Sequence, residues 1–68
     1  MSETPIFVIY WKEGDKNTAY VFDLEENVVG GPGAFADLRD EFNPQGHLIE
    51  ECLPEEKWDA LLATLSKE

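Results

Sequence analysis

The chain has 68 residues, which is enough for one domain and too few for two. Fifteen acidic residues face five basic ones, so the formal net charge is −10. Nucleic acids and anionic membranes carry charge of the same sign, so this composition disfavours direct binding to either. The charge indicates either attraction to a positively charged partner or a surface that serves only to keep the protein soluble.

The cysteine content and the first residues indicate a cellular compartment. Cys52 is the single cysteine, so the chain cannot form an internal disulfide. A free thiol in so small a domain is typical of a reducing compartment. Residues 1–5 lack the basic start of a signal peptide, and the apolar run from Ile6 to Trp11 is too short to span a bilayer. We therefore expect a cytoplasmic protein.

Two strands are predicted in the first third of the chain. Residues 5–12 are mostly β-branched and aromatic, which is typical of a strand. Both faces of this strand are apolar, which predicts either a central strand covered on both sides or an interface on one face. Residues 13–17 have the composition of a turn, and residues 18–23 predict a second strand. The two strands would form an antiparallel hairpin.

The middle of the chain predicts a loop followed by a short helix. Residues 24–33 end in Gly-Gly-Pro-Gly, and proline does not continue a strand, so we expect a loop that Val28 and Val29 anchor with a short extended piece. Residues 34–42 then predict a helix with one apolar stripe, and residues 43–46 end it. The stripe is spaced at i, i+3 and i+7: Phe35, Leu38 and Phe42.

The last third predicts a strand over residues 47–53 and a helix that begins at Pro54. Lys67 falls at the helix end where the dipole favours a cation. Four residues at i, i+3, i+4 and i+7 form the apolar stripe of this helix: Trp58, Leu61, Leu62 and Leu65. We therefore predict a single acidic α+β domain over residues 1–68, with a three-stranded, mainly antiparallel sheet and two helices in the order ββαβα.

No catalytic motif is recognisable, and we expect no enzyme. His47 and Cys52 lie five residues apart in one predicted strand, so their side chains would point to opposite faces. One histidine and one cysteine are too few for a zinc site. The glycine-rich segment lacks the lysine and hydroxyl residue of a phosphate-binding loop. The acidic residues of the first helix favour a solvated face over a metal site. We therefore predict no catalytic residue, no metal and no cofactor.

The distribution of the acidic residues is the feature that suggests a function. They precede the glycine-rich segment, line the first helix, lie in the third strand and begin the last helix: Glu25, Glu26, Asp37, Asp40, Glu41, Glu50, Glu51, Glu55, Glu56 and Asp59. Carboxylates three or four residues apart on a helix are about 5–6 Å apart, so they can imitate a sparse track of DNA phosphates. Lys and Arg side chains that hold phosphates also bind carboxylates. The alternative is a generally acidic surface with no common target.

This acidic set is carried on an aromatic scaffold that includes Trp11, Tyr20, Phe22 and Trp58. In size, charge and strand–helix layout, the chain resembles the small acidic phage-encoded anti-CRISPR proteins of the DNA-mimic kind. The resemblance covers the whole chain, although that family has no defining motif to match position by position. It implies an inhibitor that blocks target DNA binding by a CRISPR surveillance complex, such as one of type I-C, in the cytoplasm of the host cell.

Two functions are compatible with the sequence. The first is an inhibitor that presents a DNA-like acidic surface to a basic nucleic-acid-binding protein, with Tyr10 or Tyr20 as an apolar anchor. The second is a small non-catalytic interaction or regulatory module that binds through an apolar sheet face. We expect the partner to offer a positively charged protein surface, as a nucleic-acid-binding protein or a CRISPR surveillance complex does, and we expect a monomer rather than a dimer.

Overall fold

The computed structural model describes residues 4–66 of the chain. Its elements follow the order βββαβα: β1 (Ile6–Lys12), β2 (Asp15–Asp23), β3 (Val28–Gly33), α1 (Phe35–Phe42), β4 (His47–Leu53) and α2 (Glu55–Ser66). A 3-10 turn, Asn43–Gln45, ends α1. The predicted α+β class is confirmed. The prediction for Lys67 falls outside the described residues.

The four strands form one mixed sheet in the order β3-β2-β1-β4. β2 pairs antiparallel with both β1 and β3, whereas β4 runs parallel to β1. A parallel pair needs a long crossover connection, and the segment that contains α1 supplies it. The predicted three-stranded sheet and the order ββαβα are therefore wrong by one strand, and the sheet is mixed. The predicted central position of β1 is confirmed.

The additional strand is β3, in the segment predicted as a loop. Pro32 does not prevent this strand because β3 lies at the edge of the sheet, where proline is tolerated. Gly31 has a φ of 97° and lies so close to β2 that a Cβ atom would meet the carbonyl oxygen of Ala19. The backbones of β3 and β2 therefore pair closely at this point, and a larger residue at position 31 would obstruct the pairing.

The other predicted elements agree with the structure to within a few residues. β2 begins at Asp15 rather than Thr18, because the turn after β1 is shorter than the composition suggests. The Asp15 carboxylate accepts a hydrogen bond from the backbone N–H of Asn17 at 2.9 Å. Pro54 precedes α2, and its carbonyl oxygen accepts the N–H of Trp58 at 2.8 Å. The predicted bounds of β4 are confirmed.

The main core lies between α1 and one face of the sheet, which we call the α1 face. Its buried residues come from β1, β2 and α1: Ile9, Ala19, Val21, Phe35, Leu38 and Phe42. Two ring contacts extend this core along β1. The rings of Phe7 and Phe42 lie 5.3 Å apart, and those of Trp11 and Phe35 lie 4.3 Å apart. Such pairs contribute about 0.5–1.5 kcal/mol beyond their burial.

Alternate residues of the same strands point to the opposite face, which we call the α2 face. α2 packs there through Trp58, whose ring lies 5.9 Å from that of Tyr20. Trp58 is 4% exposed, whereas the other three residues of the predicted apolar stripe are only half-buried. The two helices therefore lie on opposite faces of the sheet, and α2 covers its face less completely than α1 does.

Candidate protein-binding surface

Every acidic residue of the predicted binding surface is exposed: Glu25, Glu26, Asp37, Asp40, Glu41, Glu50, Glu51, Glu55, Glu56 and Asp59. Among the described residues, two of them form ion pairs. Glu55 contacts Lys12 at 3.5 Å, and Asp40 contacts Arg39 at 3.9 Å. Solvent-exposed pairs of this kind contribute at most about 1 kcal/mol. Most of the negative charge is therefore presented directly to solvent.

The acidic residues do not form one continuous track. The α1 group lies above the α1 face: Asp37, Asp40 and Glu41. The α2 group lies above the opposite face: Glu55, Glu56 and Asp59. Glu50 and Glu51 occupy neighbouring positions of the edge strand β4 and point to opposite faces. A flat partner surface that lies parallel to the sheet can therefore contact either the α1 group or the α2 group, but not both.

The surface around the α1 group carries both signs of charge. The Nζ atom of Lys16 lies 5.9 Å from the centre of the Phe35 ring, and the Arg39 guanidinium lies 5.6 Å from it. Both distances suit a cation–π contact. These two cations are two of the five basic residues in the sequence. They reduce the negative potential on the α1 side of the molecule.

A groove opens between α2 and the sheet, with a volume of about 840 Å³. We call it the α2 groove. Its floor consists of four residues of β1 and β2: Val8, Tyr10, Tyr20 and Phe22. Leu61, Thr64 and Leu65 of α2 line one side, and Asp23 with residues 25–28 lines the other. This volume is within the range of roughly 300–1,000 Å³ that is typical of ligand-binding pockets.

The loop at the rim of the α2 groove is organised by one side chain. The Asp23 carboxylate accepts hydrogen bonds from the backbone N–H groups of Glu25 and Asn27, each at 2.9 Å. The bond from Asn27 is the main reason that the pKa of Asp23 lies below its ordinary value. Glu26 adopts a φ of 66°, a left-handed conformation that the turn requires. Glu25 and Glu26 are thus presented on an ordered turn.

The floor of the α2 groove lies in a negative potential. Burial raises the pKa of Tyr10, and the charges of Glu51 and Glu26 raise it further. These carboxylates come from different elements, since Glu51 belongs to β4 and Glu26 to the loop after β2. A cation near Tyr10 would therefore be attracted by both. The groove combines an aromatic floor with acidic residues near its rim.

Sequence reasoning names part of this groove and misses the rest. Tyr10 and Tyr20 are the predicted apolar anchors, and both lie on the floor of the groove. The role of Asp23 is missed, although an aspartate at a strand end before a polar segment is a recognised turn signal. The contribution of Leu61 and Leu65 is also missed, because the apolar spacing of α2 predicts full burial. In the sequence, the feature that indicates a groove is the apolar character of both faces of β1.

Within residues 4–66, no three His, Cys, Asp or Glu side chains are arranged so that they could hold a metal ion. The helices of that region are all too short or too polar to cross a membrane.

The fold and the groove define a small mixed-sheet α+β protein with a strongly acidic surface. No protein-family model, no curated protein and no solved structure matches this chain. The geometry and charge of the surface are therefore the features that indicate its function.

Proposed function

We propose that this protein is a non-catalytic inhibitor that binds a basic nucleic-acid-binding protein. Its acidic surface would occupy the site at which that protein holds phosphates. The observation that carries the proposal is the exposure of all ten acidic residues of the surface, of which only Asp40 and Glu55 pair with a cation among the described residues. Lys and Arg side chains that clamp phosphates accept carboxylates with similar geometry.

The charge of the whole molecule also favours this function. A net charge of −10 on 68 residues exceeds the magnitude of about 2–8 that suffices for solubility in a small domain. Such a field steers the molecule towards a basic surface and raises the association rate at low salt. An anti-CRISPR protein that prevents a surveillance complex from binding target DNA, in the cytoplasm of a phage-infected cell, is the specific form of the proposal.

The proposal can be tested by capturing partners from a bacterial lysate on the immobilised protein. We expect a nucleic-acid-binding protein or complex that elutes sharply as the salt concentration rises, because contacts between exposed charges are screened. Duplex DNA added at low salt should displace it, because both ligands would occupy the same cations. Partners that are not nucleic-acid binders, or that resist both salt and DNA, would contradict the proposal.

A pair of charge-matched variants locates the contact surface. One variant neutralises the α1 group: Asp37→Asn, Asp40→Asn and Glu41→Gln. The other neutralises the α2 group: Glu55→Gln, Glu56→Gln and Asp59→Asn. Each removes three negative charges from exposed positions on one side of the sheet. We expect one variant to weaken binding of the captured partner much more than the other. Unchanged binding by both would exclude the two helix groups. Unchanged binding after Glu25, Glu26, Glu50 and Glu51 are also neutralised would argue against a DNA-like acidic contact.

A second candidate function is an interaction module that binds through the α2 face. The incomplete cover of that side of the sheet favours it, since Ile49 of β4 is 43% exposed and Val28 of β3 is 42% exposed. This function predicts binding that is insensitive to salt and is lost on Tyr10→Ala or Ile49→Ser. Trp11, whose apolar side chain also suggests such a contact, packs against Phe35 on the α1 face.

A further inference from the structure

We propose that the α2 groove binds a basic amphipathic segment of a protein partner. An apolar side chain of that segment would rest on the aromatic floor, and its Lys or Arg side chains would meet the carboxylates around the groove. The inference rests on the proposed function for the basic character of the partner. It goes further because it assigns the contact to one side of the sheet and specifies the chemistry of the bound segment.

Two half-buried tyrosines, Tyr10 and Tyr20, form the aromatic part of the floor and pack against the buried ring of Phe22. The centroid of the Phe22 ring lies 5.4 Å from that of Tyr10 and 6.5 Å from that of Tyr20. The centroids of the Tyr20 and Trp58 rings lie 5.9 Å apart. Tyr10 and Tyr20 are half-buried, so part of each ring remains accessible. Such a surface binds aliphatic side chains and also the stems and charged heads of Lys and Arg.

Among residues 4–66, the acidic residues around this floor have no basic neighbour within the groove. Asp23, Glu25 and Glu26 belong to its lining, and Glu51 is close enough to raise the pKa of Tyr10. None of the residues that line the groove, in the part of the chain that the structure describes, is Lys or Arg. A cation supplied by a partner would therefore meet carboxylates that form no ion pair with any of the described residues.

Charge decides which occupant the groove would accept. A second copy of this chain would bring another net charge of −10, so electrostatic repulsion opposes self-association. A wholly apolar segment would desolvate the rim carboxylates without pairing them, which is unfavourable. A helix or strand in which apolar and basic residues alternate can place its apolar side chains on the floor and its cations against the rim carboxylates.

The site can be tested directly by NMR. The ¹⁵N-labelled protein would be titrated at low salt with a short synthetic amphipathic peptide of Leu and Lys. We expect the largest chemical-shift changes in residues of the floor, the loop and the facing side of α2: Val8, Tyr10, Phe22, Glu25, Glu26, Leu61 and Leu65. Two control peptides replace either every Leu by Gln or every Lys by Glu. Both should bind at least about tenfold more weakly, because each lacks one of the two required contacts.

Two double variants provide the matched control on the protein. Glu25→Gln with Glu26→Gln neutralises the groove rim, whereas Asp37→Asn with Asp40→Asn removes the same charge from α1. All four positions are exposed, so both variants should fold. We expect the rim variant to bind the Leu/Lys peptide about tenfold more weakly, through loss of two partly screened ion pairs. At a salt concentration of about 0.15 M, where the Debye length is about 8 Å, the groove inference predicts that the α1 variant differs from the wild type by less than about twofold, whereas a contact through α1 would make it the weaker binder.

The outcomes separate this inference from the proposed function. If the shifts fall on α1 and the α1 variant is the weaker binder, the groove is not the site, but an acidic surface for a basic partner stands. If the peptide with Gln in place of Leu binds equally well, the contact is one of charge alone and the groove inference is wrong. If no basic peptide binds even at low salt, both the groove inference and the proposed attraction to a basic surface are overturned.

Discussion

Among single residues, Asp23 connects local structure most directly to the candidate site. Its carboxylate accepts two backbone N–H groups of the loop, and these bonds hold Glu25 and Glu26 at the rim of the α2 groove. They also stabilise the ionised form, which is why the pKa of Asp23 is lowered. Removing this one acceptor should therefore affect both the stability of the domain and the order of its rim.

The lowered pKa of Asp23 gives a pH-dependent prediction. Because the native pKa lies below the ordinary value of 3.8, the unfolded state binds more protons in acid than the native state does. The stability that the ionised carboxylate contributes is present above that value and is lost as the pH falls through the native pKa. We expect Asp23→Asn to be less stable than the wild type at pH 7, with a difference that shrinks below pH 3.8.

Urea denaturation of the wild type and of Asp23→Asn at neutral and acidic pH measures this difference. The control is Asp59→Asn, which removes the same charge from an exposed position of α2. General relief of charge repulsion in acid should affect both variants alike. A stability difference for Asp23→Asn that stays constant with pH would show that the carboxylate charge does not stabilise the turn.

Gly31 provides the second prediction for a single residue. A Cβ at this position would require a strained left-handed conformation and would also meet the Ala19 carbonyl oxygen of β2. Gly14 has a similar φ of 82°, but its Cβ would meet no atom within 4 Å. We expect Gly31→Ala to cost at least ~2 kcal/mol of unfolding free energy and Gly14→Ala about 1 kcal/mol. Equal losses in urea denaturation would show that β3 adjusts to the added methyl group.

The helices and strands differ in how far the sequence predicts them. α1 is predicted well because its apolar residues recur at helical spacing, and β1 because its residues are mostly β-branched and aromatic. β4 is predicted from its place between the Asn-Pro-Gln-Gly turn and the proline that opens α2. β3 is missed because its Gly-Gly-Pro-Gly sequence lacks the side chains that indicate a strand, and it is held by backbone pairing with β2. The parallel direction of β4 is missed as well, since a strand pattern does not encode direction. That direction follows from the crossover through α1.

The candidate site is predicted less completely than the fold. Exposure of the acidic residues follows from their chemistry, and the aromatic character of Tyr10 and Tyr20 suggests an apolar anchor. The groove itself depends on how α2 lies on the sheet. Trp58 fixes one part of the helix, while Leu61 and Leu65 remain half-buried beside the floor. A stripe with helical spacing does not reveal that one of its ends packs less closely than the other.

The difference between the two helices predicts unequal local stability. α1 contributes three buried residues to the main core, whereas Trp58 is the one buried residue of α2 among those the structure describes. We expect amides of α2 to exchange with solvent through a local opening, while amides of β1 require global unfolding. Native-state hydrogen exchange would measure both. Equal protection of α2 and β1 would indicate a single cooperative unit.

Deleting one buried ring from each helix tests this difference in local stability between α1 and α2. Trp58→Ala and Phe42→Ala each delete a buried aromatic side chain, at a cost of roughly 3–5 kcal/mol where the ring is fully enclosed. We expect Trp58→Ala to accelerate exchange in α2 far more than in β1. Phe42→Ala should accelerate exchange throughout the domain, because it lies in the core that joins α1 to the sheet.

For the molecule as a whole, its charge has opposite consequences for folding and for binding. The domain measures about 40 × 24 × 15 Å, so charges on opposite faces of the sheet are separated by a distance comparable to the Debye length of about 10 Å at 0.1 M salt. With a net charge of −10, repulsion across the domain opposes the compact state at low ionic strength. The same negative field attracts a basic partner.

Salt should therefore stabilise the domain and weaken its complexes. Raising the salt from a low value to ~0.5 M screens the repulsion between like charges, so we expect the urea midpoint of the free domain to rise. Over the same range, affinity for the Leu/Lys peptide should fall, because the attraction between groove and peptide is screened as well. A midpoint that falls with salt would mean that the ion pairs of Lys12 with Glu55 and of Arg39 with Asp40 outweigh the repulsion. In that case the excess of acid would not strain the fold, and the domain would tolerate its charge without a partner to neutralise it.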